Sequence, residues 1–403
     1  MPSCRAESTS PVVTGIGVAT GFGYGKAALL AGMWSPQVLF ADLCRPGRQI
    51  EGREALFRGT ELAEPPALLT PRVARVSSLG GRVAVAVLDE AWHEAALDSL
   101  APERIGLVVG GSNLNAREQM LNQQSYAGRM SYLLPSHGYT CFDTDLCGLC
   151  AAHFPIRGFA YTVGGASASG VLAVLQATEA VRSGRVDACI ALGALQDISC
   201  FELQALSALG VLSPGLVCRP FDHAHDGFMF GESCAALVIS RPESGLTAYG
   251  SVAGGAHVAN GHRGPDPSLE GEVRAIQAAL AQAGLTAADI DYVNTHGTGT
   301  PRGDETELAA LQAAGLGQAR LNASKSLIGH GLSAAGVVET AMLLLQMRAG
   351  RLHPTLHLEN PLLPELDWVR DAAQPHACHH ALKLAFGFGG FDSALVISAL
   401  TGA

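Results

Sequence analysis

Asn294-Thr295-His296-Gly297-Thr298-Gly299-Thr300 and, a short way downstream, Lys325-Ser326-Leu327-Ile328-Gly329-His330 are the stretches on which the reading of this chain turns. Tyr292 to His296 reads as a strand. A histidine at a strand end, followed by a flexible Gly/Thr loop, is where α/β folds place reactive groups. Behind the loop comes Gly303-Asp304-Glu305-Thr306-Glu307. His330 is expected to open a helix running past Glu339 to Met347. The positive end of such a helix disfavours imidazolium, which leaves a neutral Nε2–H as donor. Each histidine also has a plain structural reading, and Lys325 with Asp304 or Glu307 also reads as a buried ion pair.

Working outward, Gly164-Gly165-Ala166-Ser167-Ala168-Ser169-Gly170 opens a long apolar helix. There the N–H groups and dipole favour developing negative charge. The plainer role for Ser167 is to cap that helix. Towards the other end, Phe386-Gly387-Phe388-Gly389-Gly390 is a glycine-rich turn whose N–H groups suit an oxyanion hole.

Short apolar runs alternate with helical patterns, so the fold class is α/β. Core strands are expected at Val12–Ala19, Ile105–Gly110, Val186–Gly193, Ala235–Ser240, Tyr292–His296 and Ala394–Ser398. Helices are expected at Ser167–Arg182, Ser268–Ala283, Asp304–Ala314 and His330–Met347, with Gly184, Gly284 and Gly350 just past three of them. The alternation occurs twice, giving halves at 1–244 and 245–403, with no residue-level repeat visible. Loop-rich insertions at Phe40–Leu69 and Arg117–Ile156 belong to the first half.

The 403 residues carry a formal net charge of −10, which argues against a nucleic-acid partner. No run reaches the ~20 apolar residues of a membrane span. The polar start, Met1 to Pro11, lacks a signal-peptide core, so a cytoplasmic protein is expected. The ten cysteines read mainly as buried reduced thiols. Cys147-x-x-Cys150 beside His153 lacks a second ligand pair, so no metal is expected. Gly15-x-Gly17-x-x-x-Gly21 follows a strand, but its spacing is wrong for a dinucleotide site, and it reads as a strand-to-helix turn.

In order and in detail these segments resemble the elongating β-ketoacyl-carrier-protein synthases of the thiolase fold. The likeness extends to Val13-Thr14-Gly15-Ile16-Gly17-Val18, Arg219-Pro220-Phe221-Asp222, Asp226-Gly227-Phe228 and Gly231-Glu232. It implies two fused similar halves in a five-layered αβαβα core, and a homodimer. His296 and His330 would bind the thioester carbonyl of a malonyl group as it loses CO2. The N–H groups of Ser167 and Phe388 would form the oxyanion hole. Thr298 and Thr300, with Phe388 and Gly389, would contact the substrate's phosphopantetheine arm. Lys325 and Glu339, with Asp304 and Glu307, would support the histidines. No diffusible cofactor is implied, since phosphopantetheine arrives on an acyl carrier protein.

The departures carry the functional reading. The family's Thr-Ala-Cys triplet is Gly165-Ala166-Ser167 here, His225 replaces an Arg, and Asp392 replaces an Asn. A cysteine of pKa ~8.5 can be lowered into the physiological range, whereas a serine needs a dedicated base. Acyl loading should therefore be slow or absent. Decarboxylation needs only donors around the enolate oxygen. The run Thr162 to Gly170, Gly110-Gly111-Ser112-Asn113-Leu114-Asn115 and Asp143-Thr144-Asp145-Leu146 are similar to the Cys-to-Ser decarboxylases of polyketide β-branching. Those enzymes turn malonyl- into acetyl-carrier protein for a hydroxymethylglutaryl (HMG)-synthase-like partner. Two alternatives stand beside this one: a condensing enzyme or acyltransferase that uses Ser167 as nucleophile, and a non-catalytic partner subunit like a chain-length factor.

Overall fold

The computed structural model describes residues 10–53, 56–242 and 246–400. The expected junction at 244/245 and most of the polar N-terminal stretch lie outside them. Ten strands form the core: β1 (Val12–Thr20), β2 (Ile105–Gly110), β3 (Phe159–Val163), β4 (Ala188–Gly193), β5 (Cys234–Ser240), β6 (Gly250–Ala259), β7 (Tyr292–Asn294), β8 (Arg320–Asn322), β9 (His380–Gly387) and β10 (Phe391–Ser398). β1, β2, β4 and β5 are buried at every position. Such runs are continuously apolar rather than alternating because both faces are covered.

The strand order is β3-β2-β4-β5-β1 in the first half and β8-β7-β9-β10-β6 in the second. Numbered within each half, both read 3-2-4-5-1. In both, strands 1, 5 and 4 pair antiparallel, and strands 4, 2 and 3 pair parallel. The halves join where β1 meets β6, through Val12–Ser251 and Val13–Gly250.

Five helices supply the other layers: α1 (Leu79–Glu94), α2 (Ser169–Arg182), α3 (Leu269–Ala283), α4 (Pro301–Ala313) and α5 (Ala335–Ala349). α1 covers the outer face of the first half. α3, with α4 against it, covers the outer face of the second. α2 and α5 pack on each other and on both halves, between the two halves of the sheet. The result is the five-layered αβαβα core expected of a thiolase fold. α5 is buried from Ala335 to Met347, as a central helix must be.

Close approach explains several glycines. Gly15 and Gly17 lie inside β1, not in a strand-to-helix turn: a Cβ on Gly15 would stand 2.5 Å from Ala91 O, and one on Gly17 would collide with Val87 O. They let α1 settle onto the strand. The inner helices cross at Gly170 and Gly336, where an added Cβ would lie 2.6 Å from Val337 N and 2.5 Å from Val171 N respectively.

That crossing exposes a repeat that the sequence reading missed. Gly165-Ala166-Ser167-Ala168-Ser169-Gly170 and Gly331-Leu332-Ser333-Ala334-Ala335-Gly336 occupy corresponding places, each leading from strand 3 of its half into the inner helix. Both contain a 3-10 turn, Ala166–Ala168 and Leu332–Ala334. Both turns open on a left-handed non-glycine residue, Ala166 at φ 47° and Leu332 at φ 53°. Only glycines, serine and alanine are shared, too little to register as a repeat without the fold.

Several expected boundaries move. α2 begins at Ser169 and α5 at Ala335, so Ser167 stands in the turn before its helix and His330 well ahead of its own. The second insertion is largely helical, with helices at Ala116–Tyr126 and Thr144–His153. Cys147 and Cys150 lie buried on the latter, burial raising the Cys147 thiol to about 11, and no metal-binding cluster occurs among the described residues.

Gly336→Ala tests the helix crossing. Forcing a methyl into it should cost about 1–3 kcal/mol, read as a lower urea midpoint at unchanged slope. An unchanged midpoint would mean that the inner helices are free to separate.

Candidate active site

The site forms where the two inner-helix turns meet. Ser169 fixes the first: its Oγ accepts from Gly165 N at 2.8 Å and donates to Ala166 O at 2.7 Å. The fold thus gives the local bracing to Ser169 and leaves Ser167 free of it. Ser167 is half-buried and does not cap α2. Its Oγ lies 2.9 Å from Nε2 of His330.

His330 is held in extended backbone rather than at a helix start: its N–H donates to Met229 O at 2.7 Å and its O accepts from Gly231 N at 3.1 Å. Its neutrality therefore does not come from a helix dipole. Burial, then Lys325 and Lys383, holds the imidazole well below its ordinary pKa. The N–H of Leu332 donates to Nδ1 at 3.3 Å, which leaves the proton on Nε2, facing Ser167.

His296 follows β7, its ring 5.6 Å from that of His330 and edge-on to it. Phe228 packs edge-on to His330, and Phe386 edge-on to His296. Lys325 Nζ stands 3.4 Å from Nδ1 of His296 and donates to its carbonyl at 2.6 Å. An ammonium at Nδ1 makes that atom an acceptor, so His296 also presents Nε2–H. Burial first, then Lys325, His330 and Lys383, keeps it neutral.

Lys325 pairs with Glu339, at 2.7 Å, and not with Asp304 or Glu307. Those two carboxylates, one turn apart on α4, grip the histidine loop by its backbone. Glu307 accepts from His296 N at 2.6 Å and Gly297 N at 2.8 Å; Asp304 accepts from Gly299 N at 3.0 Å and Phe221 N at 2.7 Å. Gly297 and Gly299 have φ of 43° and 84°, which only glycine adopts freely. Burial raises both acids, Glu307 to about 7. His225, in place of the family's Arg, reaches Asp304 Oδ2 at 3.1 Å. Thr298 and Thr300 bond to each other at 2.8 Å within the loop.

Gly387, ending β9, abuts the Ser167 turn. A Cβ there would stand 3.2 Å from both Ser167 N and Ala168 N. Phe388 and Gly389 follow in the hairpin to β10, and Phe388 is exposed. Asp392 accepts from Asn260 Nδ2 at 2.8 Å, away from the histidines' own bonds.

Two further residues at the site were not singled out from sequence. His257 places its Cε1 3.3 Å from where a Gly165 Cβ would be, so the family's Thr at this position would meet that ring. Lys383 is wholly buried, its Nζ 2.5 Å from Glu339 Oε2 and 3.1 Å from Thr295 O. The chain has only three lysines, Lys26, Lys325 and Lys383. One set within the apolar run Ala381-Leu382-Lys383-Leu384-Ala385 was the signal available.

Residues 55–244 match the N-terminal domain of β-ketoacyl synthases and residues 249–359 the C-terminal domain. The polyketide biosynthesis malonyl-ACP decarboxylase PksF of Bacillus subtilis is 47% identical over 399 residues, covering 96% of this chain and 95% of that protein. The tetracenomycin polyketide synthase ketoacyl synthase alpha subunit of Streptomyces glaucescens is 31% identical, covering 96% of each chain. Among solved structures, the ishigamide ketosynthase/chain length factor superposes with a TM-score of 0.88 at 25% identity, over 97% of this chain and 99% of that one. A type II polyketide synthase ketosynthase in complex with its acyl-carrier protein, AntDE:AntF, superposes at 0.83 with 24% identity, over 97% and 99%. With both domains in order along one thiolase-fold core, the chain belongs to the β-ketoacyl synthase family.

Proposed function

We propose that this chain converts malonyl-acyl carrier protein (malonyl-ACP) to acetyl-ACP in bacterial polyketide β-branching, without condensation. The observation that carries this reading is the pair of contacts at the two Nδ1 atoms, which sets the direction of the hydrogen bond at Ser167. Both imidazoles accept a bond at Nδ1 and so carry their proton on Nε2. The nitrogen that faces the Ser167 hydroxyl is therefore a donor, with no lone pair to take a proton. A serine in that position is not activated as a nucleophile. The likeness to a malonyl-ACP decarboxylase across nearly the whole chain points the same way.

The same two N–H groups suit decarboxylation. The malonyl thioester carbonyl sits between Nε2 of His296 and Nε2 of His330. The bond to the carboxylate breaks, CO2 leaves, and its electron pair becomes the enolate, whose oxygen takes both hydrogen bonds. Donors fixed before the reaction cost no reorganisation as charge develops. The enolate carbon then takes a proton, ultimately from solvent, to give the acetyl thioester. The N–H groups of Ser167 and Phe388, brought close by Gly387, serve as oxyanion hole. Thr298, Thr300, Phe388 and Gly389 line the approach of the phosphopantetheine arm, and no diffusible cofactor takes part.

The acetyl-ACP product would be consumed by an HMG-synthase-like enzyme of the same pathway. The sheet ends at β3, whose residues are half-buried or exposed and whose outer edge pairs with no described strand, which suits a homodimer built across it. No helix among the described residues is long and apolar enough to cross a membrane, and we place the enzyme in the cytoplasm, with its halves meeting near residue 244.

Intact-mass analysis of malonyl-ACP incubated with the enzyme tests the assignment. The carrier should lose CO2 with no acyl-enzyme formed. His296→Ala should slow this about 10²–10³-fold, the usual cost of one such donor. Ser167→Ala should retain most of the activity; loss of CO2 release there, with an acyl-Ser167 in the parent enzyme, would favour the nucleophile reading. Ser167→Cys should gain a thiol that loads acyl groups from acyl-ACP, because an Nε2–H facing it stabilises thiolate.

The pH dependence has a definite sign. Decarboxylation needs neutral imidazoles, and both histidines are held well below the ordinary value of ~6.5. The acid limb of kcat should therefore lie below that value. A limb at or above it would mean that the histidines are not buried neutral donors.

A further inference from the structure

Lys383 is a cation with no place in the reaction just described, although it costs the fold a great deal. Moving an ammonium into a protein interior is penalised by several kcal/mol unless well paired. The side chain projects from the middle of β9, opposite Asn294 of β7, and is 0% exposed. Its Nζ donates to Thr295 O at 3.1 Å and Leu384 O at 2.6 Å, and stands 2.5 Å from Glu339 Oε2. The other oxygen of the same carboxylate takes Lys325, at 2.7 Å.

The two ammonium groups divide the peptide ahead of the catalytic loop between them. Lys383 takes the carbonyl of Thr295 and Lys325 that of His296, while Glu307 takes the N–H groups of His296 and Gly297. Glu339 cannot hold Lys325 against Nδ1 of His296 and also turn away from Lys383. With Lys383 gone, one carboxylate oxygen and the carbonyls of Thr295 and Leu384 would be left buried without a cation. Glu339 would then be free to draw Lys325 off the imidazole.

We propose that Lys383 is a positioning residue of this active site, its ammonium holding Glu339 and the Thr295 carbonyl so that Lys325 keeps His296 in its Nε2–H form. The charged and titratable groups facing His296 are Lys325 and His330 from one segment, Lys383 from β9, Glu339 from α5 and Glu307 from α4. Burial, and then repulsion from Lys325 against the pull of Glu339, lowers the Lys383 ammonium to about 8. Its charge is thus present at neutral pH and lost as pH rises through about 8. The active site should weaken over the same interval.

The proposal rests on the decarboxylase reading only for its activity assay. Malonyl-ACP decarboxylation by the wild-type enzyme and by Lys383→Met is followed from about pH 5 to 10, spanning the imidazole and ammonium ranges. In the wild type kcat should fall as pH rises through about 8. In Lys383→Met that limb should vanish. There kcat should already be about 10–100-fold lower with KM unchanged, as for outer partners that orient ligating histidines.

A Lys383→Met enzyme with wild-type kcat and the same alkaline limb would overturn the proposal. Nitrogen-15 labelling of lysine and histidine, with only three lysines to observe, gives a readout independent of activity and of that variant's folding. The Lys383 Nζ signal of the wild type should titrate near 8, with the His296 ring nitrogens shifting in step. Ring nitrogens indifferent to that titration would also overturn it. If the wild type decarboxylates nothing while the His296 nitrogens still follow Lys383, the functional reading fails and the positioning role stands.

Discussion

The Glu339 carboxylate, buried between two lysines, is the contact around which the candidate active site is arranged. It lies on the central helix α5, and each of its oxygens holds an ammonium from a different segment, Lys325 before that helix and Lys383 in β9. Those ammonium groups in turn hold the carbonyls on either side of the His296 peptide nitrogen. A buried cluster of this kind contributes little net stability, because desolvation offsets most of the Coulombic gain. What it provides is position: the loop has few ways to move without stranding a charge.

The same cluster sets the electrostatics above it. Two cations and one anion leave excess positive charge beneath a pair of already buried imidazoles, so both stay neutral. Neutral imidazole has one donor and one acceptor, and the protein fills the acceptor at each Nδ1 from its own side. Both protons are then left on Nε2, and that of His330 faces Ser167. A thiol there meets groups that stabilise its anion. A hydroxyl, with an intrinsic pKa far higher, meets no base. On the proposed reading, sulfur exchanged for oxygen thus separates a nucleophile from a bystander.

Duplication explains why the pieces converge. In each half, strand 3 leads through a left-handed residue and a 3-10 turn into the inner helix. Those helices cross at Gly170 and Gly336, close enough that a Cβ at either would press on the backbone of the other helix. The crossing draws the two turns together and sets Ser167 of one half against His330 of the other. Glycine there is a requirement of backbone distance, and it fixes the separation on which the 2.9 Å contact depends.

The linear sequence determined a good part of this. Unbroken apolar runs marked the doubly covered strands, periodicity and terminal glycines marked α3 and the ends of α2 and α5, and the motifs around Ser167, His296, Lys325 and His330 disclosed the family. Strands such as Gly250–Ala259, rich in glycine, and Arg320–Asn322, three residues long, carry too weak a local pattern to be read. Tertiary structure decided that Lys325 answers to Glu339 and not to Asp304 or Glu307. It decided that His330 owes its neutrality to burial rather than to a helix end, and that Lys383 belongs to the site. The physical reason is common to all three: local pattern reports which face of a segment is buried, whereas the partner of a buried charge is chosen by which distant segments the packing brings within hydrogen-bond reach.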